Sequence, residues 1–471
     1  MSECSFEANL LDEEEFDQRS RAKRQRLAAA LSSAVANIAS SIVSFASKPF
    51  NQQGGGGRQP GAKTIKRDRI DIDKQIHGLD DRLFRRKYRM DKDSFYKLLD
   101  IISCHLPSTG EKRAKPGSTP NGPITHSARL SMALRIAAGG DPLDIASNHG
   151  VGPGEPMASF WYVVDAIHQS DQMDIKFPDS HQEQRQLAEE FQRKSDIGIP
   201  NCVGAIDGIL IWVHKPTDAD CDLLGFGPTK FFCGRKKKFG VNMQAVCDAR
   251  RRFLWVDIRF PGSTSDFFAF EYTLKKLLSR EYFLYPGLCI FGDAAYVNSP
   301  YMCVPFRNVS EATDVPKDAF NFFHSQLRIN IECAFGMLVH RFGMLRKPFP
   351  MNVSIPKTNS AVLALCKLHN FCIDNSTDQE RIFSADKDDT RSIMMEGGMV
   401  LPSIDHAGDY FWQYDEEDDR LNALLDGGEH TDDHTRSSRR VYRNGVDLPY
   451  QQIHNFVREN QIRRPARSQH R

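Results

Sequence analysis

The sequence lacks a cysteine motif that would hold a metal, and it has almost no net charge. Its 11 cysteines are odd in number and never form C-x-x-C, which argues against a disulfide scaffold and against a structural zinc site. We therefore expect free thiols in a reducing compartment. The 62 Lys and Arg against 61 Asp and Glu give a formal charge of +1, although acidic and basic blocks cancel in this total. Hydrophobic residues at 40% and charged residues at 26% indicate an ordinary globular protein rather than a collagen or a coiled coil.

No targeting segment is evident at the start of the chain. The first residues, MSECSFEANLLDEEEFDQ, are acidic and lack the apolar run of a signal peptide. Residues 27–47 carry no charge, but they are rich in Ser and Ala, so a helix that frays or binds a partner is favoured over a membrane span. The basic run RSRAKRQR at 19–26 is typical of a nuclear localisation signal, although such runs are more often solvated faces. We predict a nuclear protein without a membrane segment.

Composition and hydrophobic periodicity divide the chain into four regions. Residues 1–78 are predicted to be a disordered tail and linker that includes QQGGGGRQPG. Residues 79–195 show helical spacing of apolar residues, and residues 196–375 alternate strand-like and helix-like runs. Residues 376–471 lose this pattern and are predicted to be a largely disordered tail, first acidic and then arginine-rich. The last 36 residues hold nine Arg and two acids, a formal charge of +7, as in basic tails that bind nucleic acid.

The region 79–195 is predicted to be a small all-α domain. Short helical runs at 128–138, 142–148 and 155–168, separated by tight turns, suggest a helix-turn-helix. The third helix would then enter a DNA groove, but it opens GEPMASFWYV without a Lys or an Arg. A purely structural helical cap is an equally open interpretation.

The region 196–375 has the element order of an RNase H-like α/β domain. Three strand-like runs are followed by a helix, a strand and a helix, which predicts a mixed sheet with flanking helices. The predicted strands are 202–213, 239–247, 253–260 and 288–291, and the predicted helices are 266–278, 319–342 and 362–373.

Two of these strands each carry an aspartate among small residues. The run CVGAIDGILIWV is apolar on both faces, as in a buried central strand, and Asp207 stands in its middle. A buried carboxylate needs a compensating cation, either a divalent metal or a buried Arg or Lys. The run LCIFGDAAY repeats this pattern with Asp293, for which the alternative role is to cap the next turn.

Two further acids come from predicted helices. Glu332 lies beside an apolar stripe, so its helix can pack on the sheet and point Glu332 at the two aspartates. The alternative is an ordinary i,i+4 ion pair between Glu332 and Arg328. Asp266 follows a strand and is at the start of a helix. It either binds a metal ion or interacts favourably with the dipole at the helix N-terminus. The spacings between the four acids along the chain are 59, 27 and 39 residues.

Six short pieces of this region resemble the catalytic domain of PIF/Harbinger-type transposases, which are DDE superfamily endonucleases. By position, the resemblance implies that Asp207, Asp293 and Glu332 are the catalytic DDE triad. It also implies that Asp266 belongs to the same divalent-cation cluster. One departure is Ala294, where Ser or Lys is common. The matching pieces are AIDGILI (205–211), RKKKFGVNMQAVCD (235–248), FPGSTSD (260–266), GDAAY (292–296), INIECAFGMLVHRF (329–342) and LHN (368–370).

These carboxylates suit a hard divalent cation. Phosphodiester hydrolysis or strand transfer needs an activated water or 3′-hydroxyl and neutralisation of the phosphate, and two metal ions do both. Mg²⁺ or Mn²⁺ prefers carboxylate oxygens, and no His/Cys cluster competes for the site. A run of cations between the first two strands is predicted to hold DNA phosphates, with a solvated loop as the alternative. These cations are Lys230, Arg235, Lys236, Lys237 and Lys238.

The preferred hypothesis is a metal-dependent DNA endonuclease that acts on transposon termini or target DNA. The alternatives are a domesticated, catalytically silent DNA- or chromatin-binding protein and a metallophosphatase of small substrates. The cation run and the basic tail argue against the phosphatase, because small substrates need no extended positive surface. The resemblance implies a Myb/SANT-like DNA-binding partner protein, which would compensate for the third helix. We also expect a homo-oligomer.

Overall fold

The computed structural model combines a layer of helices before residue 200 with a six-stranded sheet and its flanking helices after it. The predictions for the basic run at 19–26, for the uncharged segment at 27–47 and for the acidic stretch at 405–433 lie outside the described residues. The structure describes residues 67–107, 124–218, 221, 225–279, 283–309, 314–350, 353–375 and 448–465.

Within the described residues, seven α-helices precede the sheet. Six of them begin directly after an Asp, Ser or Thr side chain that accepts a hydrogen bond from a first-turn N–H, which is why they start where they do. None of the helices in the described part of the chain is both long and apolar enough to span a membrane. The seven are α1 (Ile72–Gly78), α2 (Asp81–Tyr88), α3 (Lys92–Ile102), α4 (His126–Ala137), α5 (Pro142–His149), α6 (Glu155–Gln169) and α7 (His181–Lys194).

Helices α4, α5 and α6 are the three helices that suggest a helix-turn-helix. The third of them, α6, packs against α4 and against a helix that follows the sheet, and Phe160, Val164 and Ile167 are buried. Of the residues of α6, Gln169 alone is exposed. Because the other residues of α6 are buried or half-buried, the packing favours the structural interpretation of α6. DNA reading by this unit stays a prediction.

The sheet has the strand order β4–β3–β1–β5–β6, and β2 pairs with the first residues of β3. The pairs β1–β3 and β3–β4 are antiparallel, whereas β1–β5 and β5–β6 are parallel. An antiparallel meander followed by parallel strands beside β1 fits an RNase H-like domain. The strands are β1 (Cys202–Trp212), β2 (Phe232–Cys233), β3 (Lys238–Cys247), β4 (Phe253–Pro261), β5 (Cys289–Phe291) and β6 (Met302–Cys303).

Helices cover both faces of the sheet. Ala205 and Ile211 of β1 pack in one apolar cluster with Leu327 and Ile331 of the long helix α10 (Val315–Arg341), and Ile206 packs in the cluster on the opposite face. The central strand is therefore apolar on both sides, as its sequence predicts. The predicted helix 266–278 is broken at Thr273, which has φ −125° and ψ −92°. The helices are α8 (Asp266–Tyr272), α9 (Leu274–Leu278), α10 (Val315–Arg341) and α11 (Ile355–Asn375).

The LHN motif closes the fold rather than forming part of the acidic cluster. Asn370 of α11 accepts a hydrogen bond from the Phe253 N–H at 2.8 Å and donates one to the Phe253 carbonyl at 2.7 Å. A ring nitrogen of His369 lies 2.9 Å from the Arg251 carbonyl oxygen. Burial, together with the charge of Arg341, lowers the pKa of His369 to about 3, so the imidazole is neutral. Both side chains tie α11 to the β3–β4 turn.

One described helix lies within residues 376–471, a region that the sequence predicts to be largely disordered and most of which lies outside the described residues. Helix α12 (Pro449–Glu459) packs on α10 and buries Ile453 and Val457. The two apolar side chains are four residues apart and share one helical face. The His454 ring lies 5.0 Å from the Phe306 ring. The prediction rested on the loss of hydrophobic periodicity after residue 375, and it overlooked this short apolar stripe.

Candidate active site

The topology brings two of the predicted acids to neighbouring strands. Residues Ala205 and Phe291 are paired across the parallel strands β1 and β5. Because the strands are parallel, the residues two positions later in each, Asp207 and Asp293, are also neighbours. The Asp207 carboxylate accepts a hydrogen bond from the Gly208 N–H at 2.8 Å, and Asp293 accepts one from the Ala295 N–H at 2.9 Å. Each carboxylate is thus held by a nearby backbone N–H, Asp207 in the middle of β1 and Asp293 just after the end of β5.

Helix α10 adds Glu332 and a cation to this pair. Arg328 lies one helical turn before Glu332 and forms an ion pair with it. An Nη atom of Arg328 also lies 3.8 Å from a carboxylate oxygen of Asp207. The i,i+4 ion pair that the sequence offered as an alternative therefore exists, and it exists inside the acidic cluster. The structure places Asp207 and Glu332 on either side of one guanidinium, and Asp293 lies on the strand next to Asp207.

Asp266 approaches the cluster from the opposite face of the sheet. A Cβ atom on Gly208 would lie 2.1 Å from Asp266 Oδ1, so only glycine leaves room for this carboxylate. Successive residues of a strand alternate between faces, which sets Asp266 on the side away from Glu332. Asp266 is also the first residue of α8, after the capping side chain of Ser265. The fourth acid is close to the two aspartates but lies apart from Glu332.

Two buried amides hold Asp266 in place. Asn242 donates to Asp266 Oδ1 at 3.0 Å, and Gln244 donates to the Asp266 carbonyl at 2.7 Å. Gln244 also donates to the Tyr296 hydroxyl at 3.3 Å. None of these three residues was predicted from the sequence to belong to the site. The signal was present, because Asn242 and Gln244 stand two positions apart in an otherwise apolar strand and therefore share one face.

Burial and mutual repulsion perturb the carboxyl groups. The pKa of Asp207 is raised to about 8, first by burial and then by the charge of Asp293, against the opposing effect of Arg328. Burial also raises the pKa of Asp293 and that of Glu332, again opposed by Arg328. Burial lowers the pKa of Arg328, but the surrounding carboxylates raise it by more. The raised pKa values indicate that Arg328 does not fully compensate the ionised carboxylates, so an added cation would favour their ionised forms.

The donor set has the chemistry of a magnesium or manganese site. Carboxylate oxygens are the preferred ligands of both ions. The side-chain oxygens of Asn242 and Gln244 are buried beside Asp266 and have no hydrogen-bond partner among the described residues. Within that part of the chain, however, no group of three or more His, Cys, Asp and Glu side chains lies close enough together to hold a metal ion. The cation placed among the carboxylates is Arg328.

The predicted DNA-binding cations lie on an exposed hairpin beside the site. The Lys230 carbonyl accepts a hydrogen bond from the Ser263 N–H at 3.0 Å, which attaches the hairpin to the loop that leads to Asp266. Arg235 is near enough to Asp293 to lower its pKa. Lys238 packs over the Trp212 ring at 3.1 Å from its centroid. All five predicted cations are exposed, namely Lys230, Arg235, Lys236, Lys237 and Lys238.

Comparison with known proteins gives a family match for the part of the chain that contains these acids. Residues 206–370 match the family model described as DDE superfamily endonuclease. The chain is 24% identical over 325 residues to "Protein ALP1-like" of Arabidopsis thaliana, which covers 64% of this chain and 73% of that protein. It is also 24% identical over 220 residues to the human protein named "Putative nuclease HARBI1", with 46% of this chain and 58% of that protein covered. A search of solved structures gives no significant match.

Proposed function

We propose that this chain, in which residues 206–370 form a DDE superfamily endonuclease domain, is a divalent-metal-dependent DNA endonuclease of the PIF/Harbinger transposase type. The observation that carries the proposal is the meeting of Asp207, Asp293 and Glu332, from two strands and one helix, in a largely apolar domain. A fold gains no stability from grouping buried carboxylates, since each raises the cost of ionising the next. A catalytic role explains why they are grouped.

The roles of the acids follow from their positions. Asp207, Asp293 and Glu332 would hold the ion, with Asp266 at the edge of the cluster. A bound divalent cation neutralises charge on the scissile phosphate and lowers the pKa of an attacking water. A bound cation would favour the ionised form of Asp207, whose pKa burial and the charge of Asp293 raise to about 8. Asn242 and Gln244 keep Asp266 oriented.

The substrate proposal is DNA, held through its phosphates by the hairpin cations. Lys230 and Arg235–Lys238 are exposed and adjoin the loop that supports Asp266. Phosphate contacts of this kind fix the position of a duplex without reading its sequence. Because α6 has no Lys or Arg and packs largely against other helices, we propose that sequence reading comes from a Myb/SANT-like partner protein. Action in the nucleus and assembly as a homo-oligomer complete the proposal.

The test is cleavage of duplex DNA by the full-length chain with Mg²⁺ or Mn²⁺. The most informative substrate carries the terminal repeats that flank the gene. Asp293→Asn should abolish cleavage, and Asp257→Asn, on the far strand β4, should not. Cleavage that persists in the Asp293 variant would show that the site is misassigned.

A second candidate is a domesticated DNA- or chromatin-binding protein that no longer cuts. The observation that favours it is Arg328, which occupies the centre of the acidic cluster. In this case the chain binds DNA with the salt dependence of phosphate contacts but shows no cleavage with either ion. Binding without cleavage, under conditions where Mn²⁺ is bound, separates the two candidates.

A further inference from the structure

Arg328 is buried between acids that the proposed function assigns to a metal. Only 11% of its side chain is exposed, and it contacts Glu332 and lies 3.8 Å from Asp207. Three partly buried carboxylates without a cation would be costly, since removing one partner of an ion pair away from water leaves an uncompensated charge. The folded chain therefore needs a positive charge here before any ion arrives, and α10 supplies it.

We propose that the Arg328 guanidinium is the built-in counter-cation of the acidic cluster and that a divalent ion binds by displacing it. The proposal rests on the proposed metal-dependent function and assigns a role to a residue outside the DDE triad. A guanidinium donates hydrogen bonds to the same carboxylate lone pairs that a metal ion uses. Arg328 and an ion therefore compete for Asp207 and Glu332.

The competition has a definite consequence for metal affinity. Part of the binding free energy is used to move Arg328 away, so the ion binds more weakly than the carboxylates alone would allow. The apo chain is stable because Arg328 is present, and the metal-bound chain does not depend on it. Arg328 is thus a residue that sets ion affinity, not a ligand.

The opposite role for Arg328 makes the opposite prediction. Arg328 could instead clamp Glu332 in the rotamer that the ion requires. Removal of the guanidinium would then release Glu332 and weaken ion binding. The sign of the change in affinity distinguishes displacement from clamping.

The experiment is a Mn²⁺ titration of the full-length chain. Binding is measured by calorimetry and by the loss of the spin-resonance signal of free Mn²⁺. Arg328→Met should raise Mn²⁺ affinity by about tenfold or more, because a positive charge near the ion is removed. The control is Arg341→Met, since Arg341 is also a buried arginine of α10 but bonds the His369 carbonyl at 3.2 Å, away from the acids. Arg341→Met should leave the affinity unchanged. Weaker or equal affinity in Arg328→Met overturns the proposal.

A second measurement covers the case in which Arg328→Met does not fold. In the wild-type chain, the side-chain Nε–H resonance of Arg328, assigned by its loss in Arg328→Lys, should shift and exchange faster with water when Mg²⁺ is added. The Arg341 resonance should stay in place. An Arg328 signal that does not respond at saturating Mg²⁺ contradicts displacement. If Mn²⁺ binds as predicted but DNA is not cut, the nuclease proposal fails and the Arg328 proposal stands; if no ion binds, both fail.

Discussion

Replacement of Asp207 by Asn should stabilise the folded chain at neutral pH. In the folded state the pKa of Asp207 is raised to about 8 by burial and by Asp293. In an unfolded chain the pKa of an aspartate is about 3.9. Between these values the folded state holds a proton that the unfolded state has lost, so stability falls as the pH rises through this window. Asn keeps the shape of the side chain and removes the charge.

The magnitude follows from the same two values. At pH 7, about three pH units above the ordinary pKa, folding requires the side chain to take up a proton, and this costs about 4 kcal/mol. This is an upper bound, because 21% of the Asp207 side chain is exposed and its ionised form interacts with Arg328. Near pH 4 and below, the difference between Asp207→Asn and wild type should disappear.

The assay is urea unfolding of both proteins at several pH values from about 4 to about 8, the window in which folded and unfolded states differ in bound protons. The free energy of unfolding of the wild type should fall relative to Asp207→Asn as the pH rises. The exposed Asp179→Asn is the matched control and should track the wild type. A constant offset across the window, or a less stable Asp207 variant at pH 8, would refute the reasoning.

Three further predictions concern the support of the site, the DNA surface and the last helix. Gly208→Ala should weaken Mn²⁺ binding and cleavage, since the new Cβ would lie 2.1 Å from Asp266 Oδ1; unchanged binding would place Asp266 outside the site. Arg235→Ala with Lys236→Ala should flatten the slope of log K against log salt by about 0.9 for each DNA phosphate that the variant no longer neutralises, and an unchanged slope would exclude the hairpin from DNA binding. Ile453→Ala should lower the free energy of unfolding by about 2–5 kcal/mol in urea, and an unchanged free energy would contradict the packing of α12.

The sheet and its acids can be predicted because local sequence carries the information. The run 202–213 predicts a central strand, and the structure has one at Cys202–Trp212. The small residue Gly208 beside Asp207 indicates close approach of another group, which is the Asp266 carboxylate. Patterns of period 2 in a strand and of small residues near an acid follow from backbone geometry, so they are visible without a structure.

Contacts between distant segments cannot be predicted in this way. The register that aligns Gln244 with Gly208 sets both amides beside Asp266, and no local pattern reveals that register. Helix α6 is the third helix of the predicted helix-turn-helix, yet it packs against neighbouring helices. The i,i+4 pairing of Arg328 with Glu332 is visible in the sequence, whereas its approach to Asp207 depends on how α10 crosses β1.

The central claim is that Asp207, Asp293 and Glu332 form a metal-dependent nuclease site. The most direct measurement is cleavage of duplex DNA, with Mg²⁺ and with EDTA, by wild type and by Glu332→Gln. Binding of the same DNA is measured in parallel to show that both proteins are folded. The claim predicts Mg²⁺-dependent cleavage by wild type and none by Glu332→Gln at equal DNA affinity. Equal cleavage by the two proteins, or wild-type cleavage that persists in EDTA, would contradict it.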